Sequence, residues 1–94
     1  MDVKHITGEN KGKVMLYALS TCGWCQKTKR FLDELGVEYD YMDVDVLESK
    51  DMNLALEKVR HWNRACTFPT LVINDEECIV GYNEAKMKKA LNIN

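Results

Sequence analysis

Six apolar residues in unbroken succession, Val14-Met15-Leu16-Tyr17-Ala18-Leu19, constrain the fold of this chain more than any other stretch. A run without polar alternation is the pattern of a β-strand buried on both faces, in a sheet covered by helices. The residues after it keep a different period. Ser20 and Thr21 supply N-cap chemistry, and Cys25, Thr28, Phe31, Leu32 and Leu35 then recur at three- and four-residue steps. Lys27, Lys29, Arg30, Asp33 and Glu34 fall mostly on the other side, and Gly36 stands where a helix C-cap belongs. Residues 37–46 read as a second strand, with Tyr39, Tyr41 and Met42 contributing apolar surface. Strand, helix and strand at this spacing make a right-handed βαβ unit with parallel strands.

Residues 48–64 pattern as a second helix, with Met52, Leu56, Val59, Trp62 and Asn63 along one stripe. Thr67-Phe68-Pro69-Thr70 follows and holds the chain's single proline. Leu71-Val72-Ile73 reads as a third strand, Asn74-Asp75-Glu76 as a turn, and Cys78-Ile79-Val80 as the returning strand of a hairpin, which Gly81 breaks. Asn83 caps a last helix whose inner stripe is Met87, Ala90 and Leu91. The order β-α-β-α-β-β-α is α/β architecture: a mixed four-stranded sheet with three flanking helices, placed on both faces. Residues 1–12 are polar, and Val3-Lys4-His5-Ile6 alternates only briefly. They are either a short added strand or a frayed tail ahead of one domain spanning 13–94.

Ninety-four residues suffice for one core, and a 46% hydrophobic share folds without disulfide staples. The net charge of −2 comes from interleaved acids and bases, which argues against nucleic acid as a partner. No apolar run approaches the roughly 20 residues that span a bilayer. No apolar leader opens the sequence, so the expected address is the cytoplasm.

The chemistry lies in Thr21-Cys22-Gly23-Trp24-Cys25. Disulfide exchange needs a thiolate, and an ordinary cysteine of pKa ~8.5 is only slightly ionised at neutral pH. A helix N-terminus, with its unpaired N–H groups and positive dipole end, favours an anion. Cys22 is placed there, directly after the buried strand, and Cys25 lies one turn further in. Cys22 then attacks and Cys25 resolves the mixed disulfide. Trp24 offers an apolar face beside the nucleophile. The competing reading is a metal-holding module, with zinc or a [2Fe–2S] cluster bound through Cys22 and shared between two chains. Cys66 and Cys78 lie twelve positions apart across a strand and do not form the compact second half of a zinc knuckle. Cys78 reads as a small core residue. Cys66, three positions before Pro69, is a candidate redox residue at the site's rim, with burial as its equal alternative. His5 and His61 have no catalytic case. A lone proline opening a strand beside a dithiol also suits a cis bond between Phe68 and Pro69.

Over residues 13–92 the chain resembles the glutaredoxin family of the thioredoxin-like fold. The resemblance rests on Cys22-Gly23-Trp24-Cys25 after a buried strand, Thr67-Phe68-Pro69 before another, and Gly81 after the hairpin. It implies a sheet order of 2-1-3-4, Cys22 as nucleophile, and a cis Pro69 facing it. It also implies substrate contacts from Trp24, Thr67, Phe68, Pro69 and Gly81. No bound cofactor or metal is expected beyond the redox-active disulfide. Leu19 stands where glutathione-using relatives carry lysine, and Val80-Gly81-Tyr82 replaces their Gly-Gly pair. These departures point to glutaredoxin-like proteins with thioredoxin-type duties, including donors to ribonucleotide reductase. The expectation is a cytoplasmic monomer that reduces disulfides in protein or small-molecule clients and is recharged by a flavin- or iron–sulfur-dependent disulfide reductase.

Overall fold

The apolar run becomes the central strand of a sheet, as its lack of polar alternation requires. The structure is a computed structural model that describes residues 3–93. Its elements are β1 (Lys4–Ile6), β2 (Val14–Ala18), α1 (Gly23–Leu35), β3 (Tyr39–Asp43), a 3-10 turn (Val44–Val46), α2 (Ser49–Trp62), β4 (Thr70–Ile73), β5 (Glu77–Val80) and α3 (Glu84–Ala90). The sheet order is β1-β3-β2-β4-β5. β2 runs parallel to β3 and antiparallel to β4, which forms a hairpin with β5. The four strands after β1 therefore keep the expected 2-1-3-4 order in a thioredoxin-like α/β sandwich. The strand count is corrected from four to five.

Alternation along β2 divides the core between the two faces. Val14, Leu16 and Ala18 join Phe31 and Leu32 of α1 with Met87 and Leu91 at α3. Tyr17 points the other way and joins Val44, Ala55, Val59 and Val72 under α2, with Met15 and Leu19 packed against that cluster. Leu16, Leu32, Leu71 and Ile73 are almost fully buried. Burial of each contributes about 1.5–3 kcal/mol. Two such layers hold the sheet without a disulfide, and all four cysteines are free.

The fifth strand comes from the N-terminal segment, for which a frayed tail was the alternative; residues 1 and 2 lie outside the described residues. β1 pairs antiparallel with β3, placing Lys4 opposite Tyr41 and Ile6 opposite Tyr39. The chain then passes Gly8, where a Cβ would lie 2.6 Å from the Val37 carbonyl carbon. Glu9 completes the attachment, its N–H donating to the Gly36 carbonyl at 2.8 Å and its carbonyl accepting from Glu38 N–H at 2.9 Å. The stretch 37–46 is correspondingly shorter as a strand than its pattern suggests. Beyond Asp43 the backbone turns into the 3-10 segment, where Asp45 accepts hydrogen bonds from Ser20 N–H and Oγ–H at 2.8 and 2.5 Å. Those contacts hold the Asp45 carboxyl below the usual carboxylate range.

His5 on β1 faces β3, its Nδ1 2.6 Å from Asp40 Oδ1 and its Nε2 3.7 Å from Glu38 Oε1. The Asp40 hydrogen bond raises the His5 pKa above its ordinary 6.5. This contribution to docking β1 is present in full below pH 6.5 and fades as pH rises through the raised value. An NMR titration of the His5 ring should therefore show a pKa above 6.5 that Asp40→Asn lowers. A titration insensitive to Asp40→Asn would disprove the pairing.

Candidate active site

The turn out of β2 brings Cys22 to the start of α1. Its N–H donates to the Leu19 carbonyl at 3.2 Å, and its backbone is extended (φ −88°, ψ 115°). Cys22 is itself the N-cap: Cys25 N–H donates to Cys22 Sγ at 3.1 Å. The capping expected of Ser20 and Thr21 is corrected accordingly. Ser20 is instead bound to Asp45, tying the turn to the 3-10 segment. The two thiols differ in surroundings. Cys22 is half-buried, whereas Cys25 is 0% exposed within the α1–sheet layer. Burial, followed by the Cys22 contact, pushes the Cys25 thiol up to about 12.

Beside the dithiol lies a groove of about 210 Å³ lined by Trp24, Phe68, Pro69, Gly81 and Tyr82. Trp24 is 60% exposed, and its ring centroid lies 5.9 Å from that of Tyr82. Lys27 Nζ sits over both rings, 5.2 and 5.0 Å from their centroids. A cation over aromatic faces is held by their quadrupoles. Tyr82 also meets the edge of Phe31 at 6.0 Å and donates its hydroxyl to Glu84. Phe68 and Pro69 are joined by a cis peptide bond, as expected. Gly81 N–H donates to the Pro69 carbonyl at 2.9 Å, and its φ of 80° is a backbone state side chains disfavour.

A buried asparagine anchors the proline loop. Asn63, 7% exposed, donates through Nδ2 to the Thr67 carbonyl (3.2 Å), Thr67 Oγ1 (2.9 Å) and Thr70 Oγ1 (3.2 Å). Thr70 Oγ1 in turn donates to the Thr67 carbonyl at 2.8 Å. The Thr67 carbonyl is thus occupied from within. The N–H and carbonyl of Phe68 make no hydrogen bond among the described residues.

The structure therefore gathers four of the five expected contact residues around one groove. Thr67 belongs to the Asn63 network and does not line it. Cys66, half-buried at φ 53°, packs toward the α2-side cluster and is not a lining residue. Cys78 is half-buried on that same side, its thiol donating to the Trp62 carbonyl at 3.2 Å. Lys29 is bound to Asp43 at 2.9 Å and lies over Tyr41, so its charge is already engaged. Sequence reasoning missed Tyr82 and Asn63 as parts of the site, while Lys27 was expected only as exposed positive charge near the dithiol. Tyr82 had a signal, adjacency to Gly81. Asn63 had one only as a polar residue on an apolar helical stripe.

Residues 14–79 match the glutaredoxin family model. A glutaredoxin-like 8.6 kDa protein from the rubredoxin operon of Clostridium pasteurianum is 33% identical over 78 residues, 83% of this chain and 96% of that protein. A solved glutaredoxin from Methanosarcina mazei Go1 superposes with TM-score 0.92 at 47% identity, covering 97% of this chain and 88% of its own. Methanoredoxin of Methanosarcina acetivorans gives TM-score 0.89 at 43% identity over 92% of this chain and 90% of its own.

Proposed function

The chain belongs to the glutaredoxin family, and on that premise we propose that it is a thiol–disulfide oxidoreductase working through Cys22 and Cys25. The asymmetry of the two thiols carries this reading. Cys22 is accessible at a helix start with an N–H on its sulfur, while Cys25 is enclosed and keeps its proton. The Cys22 thiolate attacks one sulfur of a client disulfide. The client S–S bond breaks, and its second sulfur leaves with the electron pair and takes a proton. Cys25 then loses its proton and attacks Cys22 Sγ, expelling the first client sulfur and closing the Cys22–Cys25 disulfide. Two electrons have passed to the client. A flavin- or iron–sulfur-dependent disulfide reductase returns two electrons and two protons, and no bound cofactor takes part.

The groove suits an extended client segment laid beside residues 67–69. The free backbone groups of Phe68 supply hydrogen bonds, and Trp24 and Tyr82 supply apolar contact. Stoichiometric reduction of a protein disulfide by the reduced chain, with a Cys22–Cys25 disulfide as product, tests the cycle. Finding no such product would refute it. The second reading, a metal or cluster held through Cys22 and shared between two chains, would not need a group of three ligands within one chain, and none occurs among the described residues. Metal analysis of anaerobically purified protein checks this directly.

Glutathione is expected to be a poor reductant here. Leu19 packs toward the α2-side cluster where a relative would offer a cation, and exposed Val80 adds bulk where glycine is usual. Loss of one charge-assisted hydrogen bond, about 1.5–3 kcal/mol, weakens binding at least tenfold. The check is re-reduction of oxidised protein by glutathione, an NADPH-dependent thioredoxin reductase, or a ferredoxin-linked reductase. Efficient, saturable turnover with millimolar glutathione would overturn the expectation.

A further inference from the structure

Trp24 stands between two hollows. One is the groove it forms with Phe68, Pro69, Gly81 and Tyr82. The other, of about 260 Å³, is lined by Gly23, Trp24, Lys27 and Arg30. It begins one residue from Cys22. A Cβ at Gly23 would meet nothing within 4 Å, so a partner's chain can approach closely there. Lys27 and Arg30 are both exposed and lie one turn apart on α1.

Lys27 is held in place without being neutralised. Its Nζ lies over the Trp24 and Tyr82 rings, yet it makes no ion pair among the described residues. An ammonium oriented by two ring quadrupoles keeps N–H donors for a further acceptor. The acids nearby stand on the other side of Tyr82. Glu84 accepts its hydroxyl hydrogen bond, and Glu34 acts on the same hydroxyl, where Arg30 opposes both. Asp33 is bound by Tyr39 Oη at 3.0 Å. Helices α1 and α3, on one face of the sheet, together hold six Lys or Arg against Asp33, Glu34 and Glu84. The whole chain carries a net charge of −2, so this face is the basic side of an acidic molecule.

We propose that the hollow selects acidic clients: the protein segment that docks beside Phe68 carries an Asp or Glu close to its attacked cysteine, and Lys27 takes that carboxylate. This rests on the dithiol reading and adds the chemical class of the client to it. An extended segment advances about 3.3 Å per residue, so side chains one or two residues from the cysteine are those that reach past Trp24. A solvent-exposed pair of this kind is worth about three- to fivefold in rate. A Lys or Arg at the same client position meets like charge and is disfavoured.

The probes are symmetric disulfides of a short peptide, acetylated and amidated at its ends, with the cysteine flanked on both sides by Glu, Gln or Lys. The reduced chain gives each disulfide two electrons, releasing two peptide thiols and closing Cys22–Cys25. Each rate is divided by that of dithiothreitol with the same peptide, which removes the intrinsic effect of flanking charge on exchange. The Glu peptide should then react about fivefold faster than the Gln peptide, with the Lys peptide slowest. High salt should shrink the preference. Lys27→Gln should bring the Glu-to-Gln ratio close to one, Lys27→Arg should keep it, and Lys27→Glu should turn the preference toward the Lys peptide. Equal rates for the Glu and Gln peptides, or an undiminished ratio in Lys27→Gln, would overturn the proposal and leave the dithiol reading standing. No reduction of any peptide by the parent chain would sink both.

Discussion

Iodoacetamide at pH 7 will alkylate Cys22 and leave Cys25 unmodified until the protein is unfolded. Alkylation requires thiolate and access, and Cys25 has neither. It is 0% exposed, and a thiol pushed up to about 12 is ionised at roughly one part in 10⁵ at that pH. A selectivity of at least about 100-fold follows. Peptide mass mapping separates the result from reaction at half-buried Cys66 and Cys78. The functional counterpart is as large. Cys22→Ser should lower disulfide reduction by on the order of 10³-fold or more, since no other thiol stands at a helix start. Cys25→Ser should still attack and then accumulate mixed disulfides with its clients, because nothing expels them. Equal alkylation of both cysteines at pH 6 would reverse the assignment.

Asn63→Ala should cost about 2–3 kcal/mol, a fall in Tm on the order of 10–20 °C for a chain of this size. The side chain is buried, and its Nδ2 makes three contacts that no backbone group replaces. Asn63→Asp should be worse. It sets a carboxylate oxygen against the Thr67 carbonyl and buries a charge, although the Ala65 N–H that donates to Asn63 Oδ1 at 3.2 Å can remain. The functional effect separates from the thermal one. Loosening residues 67–69 should raise the KM for protein clients, while the alkylation rate of Cys22, held by β2 and α1, stays unchanged. A melt within a degree or two of the parent, or a Cys22 rate that falls in step with client affinity, would remove Asn63 from its positioning role.

Local chemistry was legible in the sequence. The run 14–19 announced a doubly covered strand because its residues lack polar alternation, and Gly36 marked the end of α1 because the left-handed cap it forms, at φ 70°, suits glycine. The Cys22–Cys25 pair declared its place through three-residue spacing at a strand-to-helix junction. Each signal lies within a few residues, the range over which backbone periodicity and capping act. Ser20 misled because serine caps helices when free, and here it is bound to Asp45, 25 positions away.

Tertiary structure alone decided the rest, because those features depend on side chains brought together from distant positions. β1 became a strand rather than a tail because Gly8 lets the chain pass against residues 36–38 and β3 presents an open edge. Trp24 and Tyr82 became one groove only when α1 and the turn after β5 met across the sheet. Asn63 acquired its task when the end of α2 folded over Thr67 and Thr70. Periodicity sets which face of an element a residue takes. What that residue meets there is set by packing, and no local pattern encodes it.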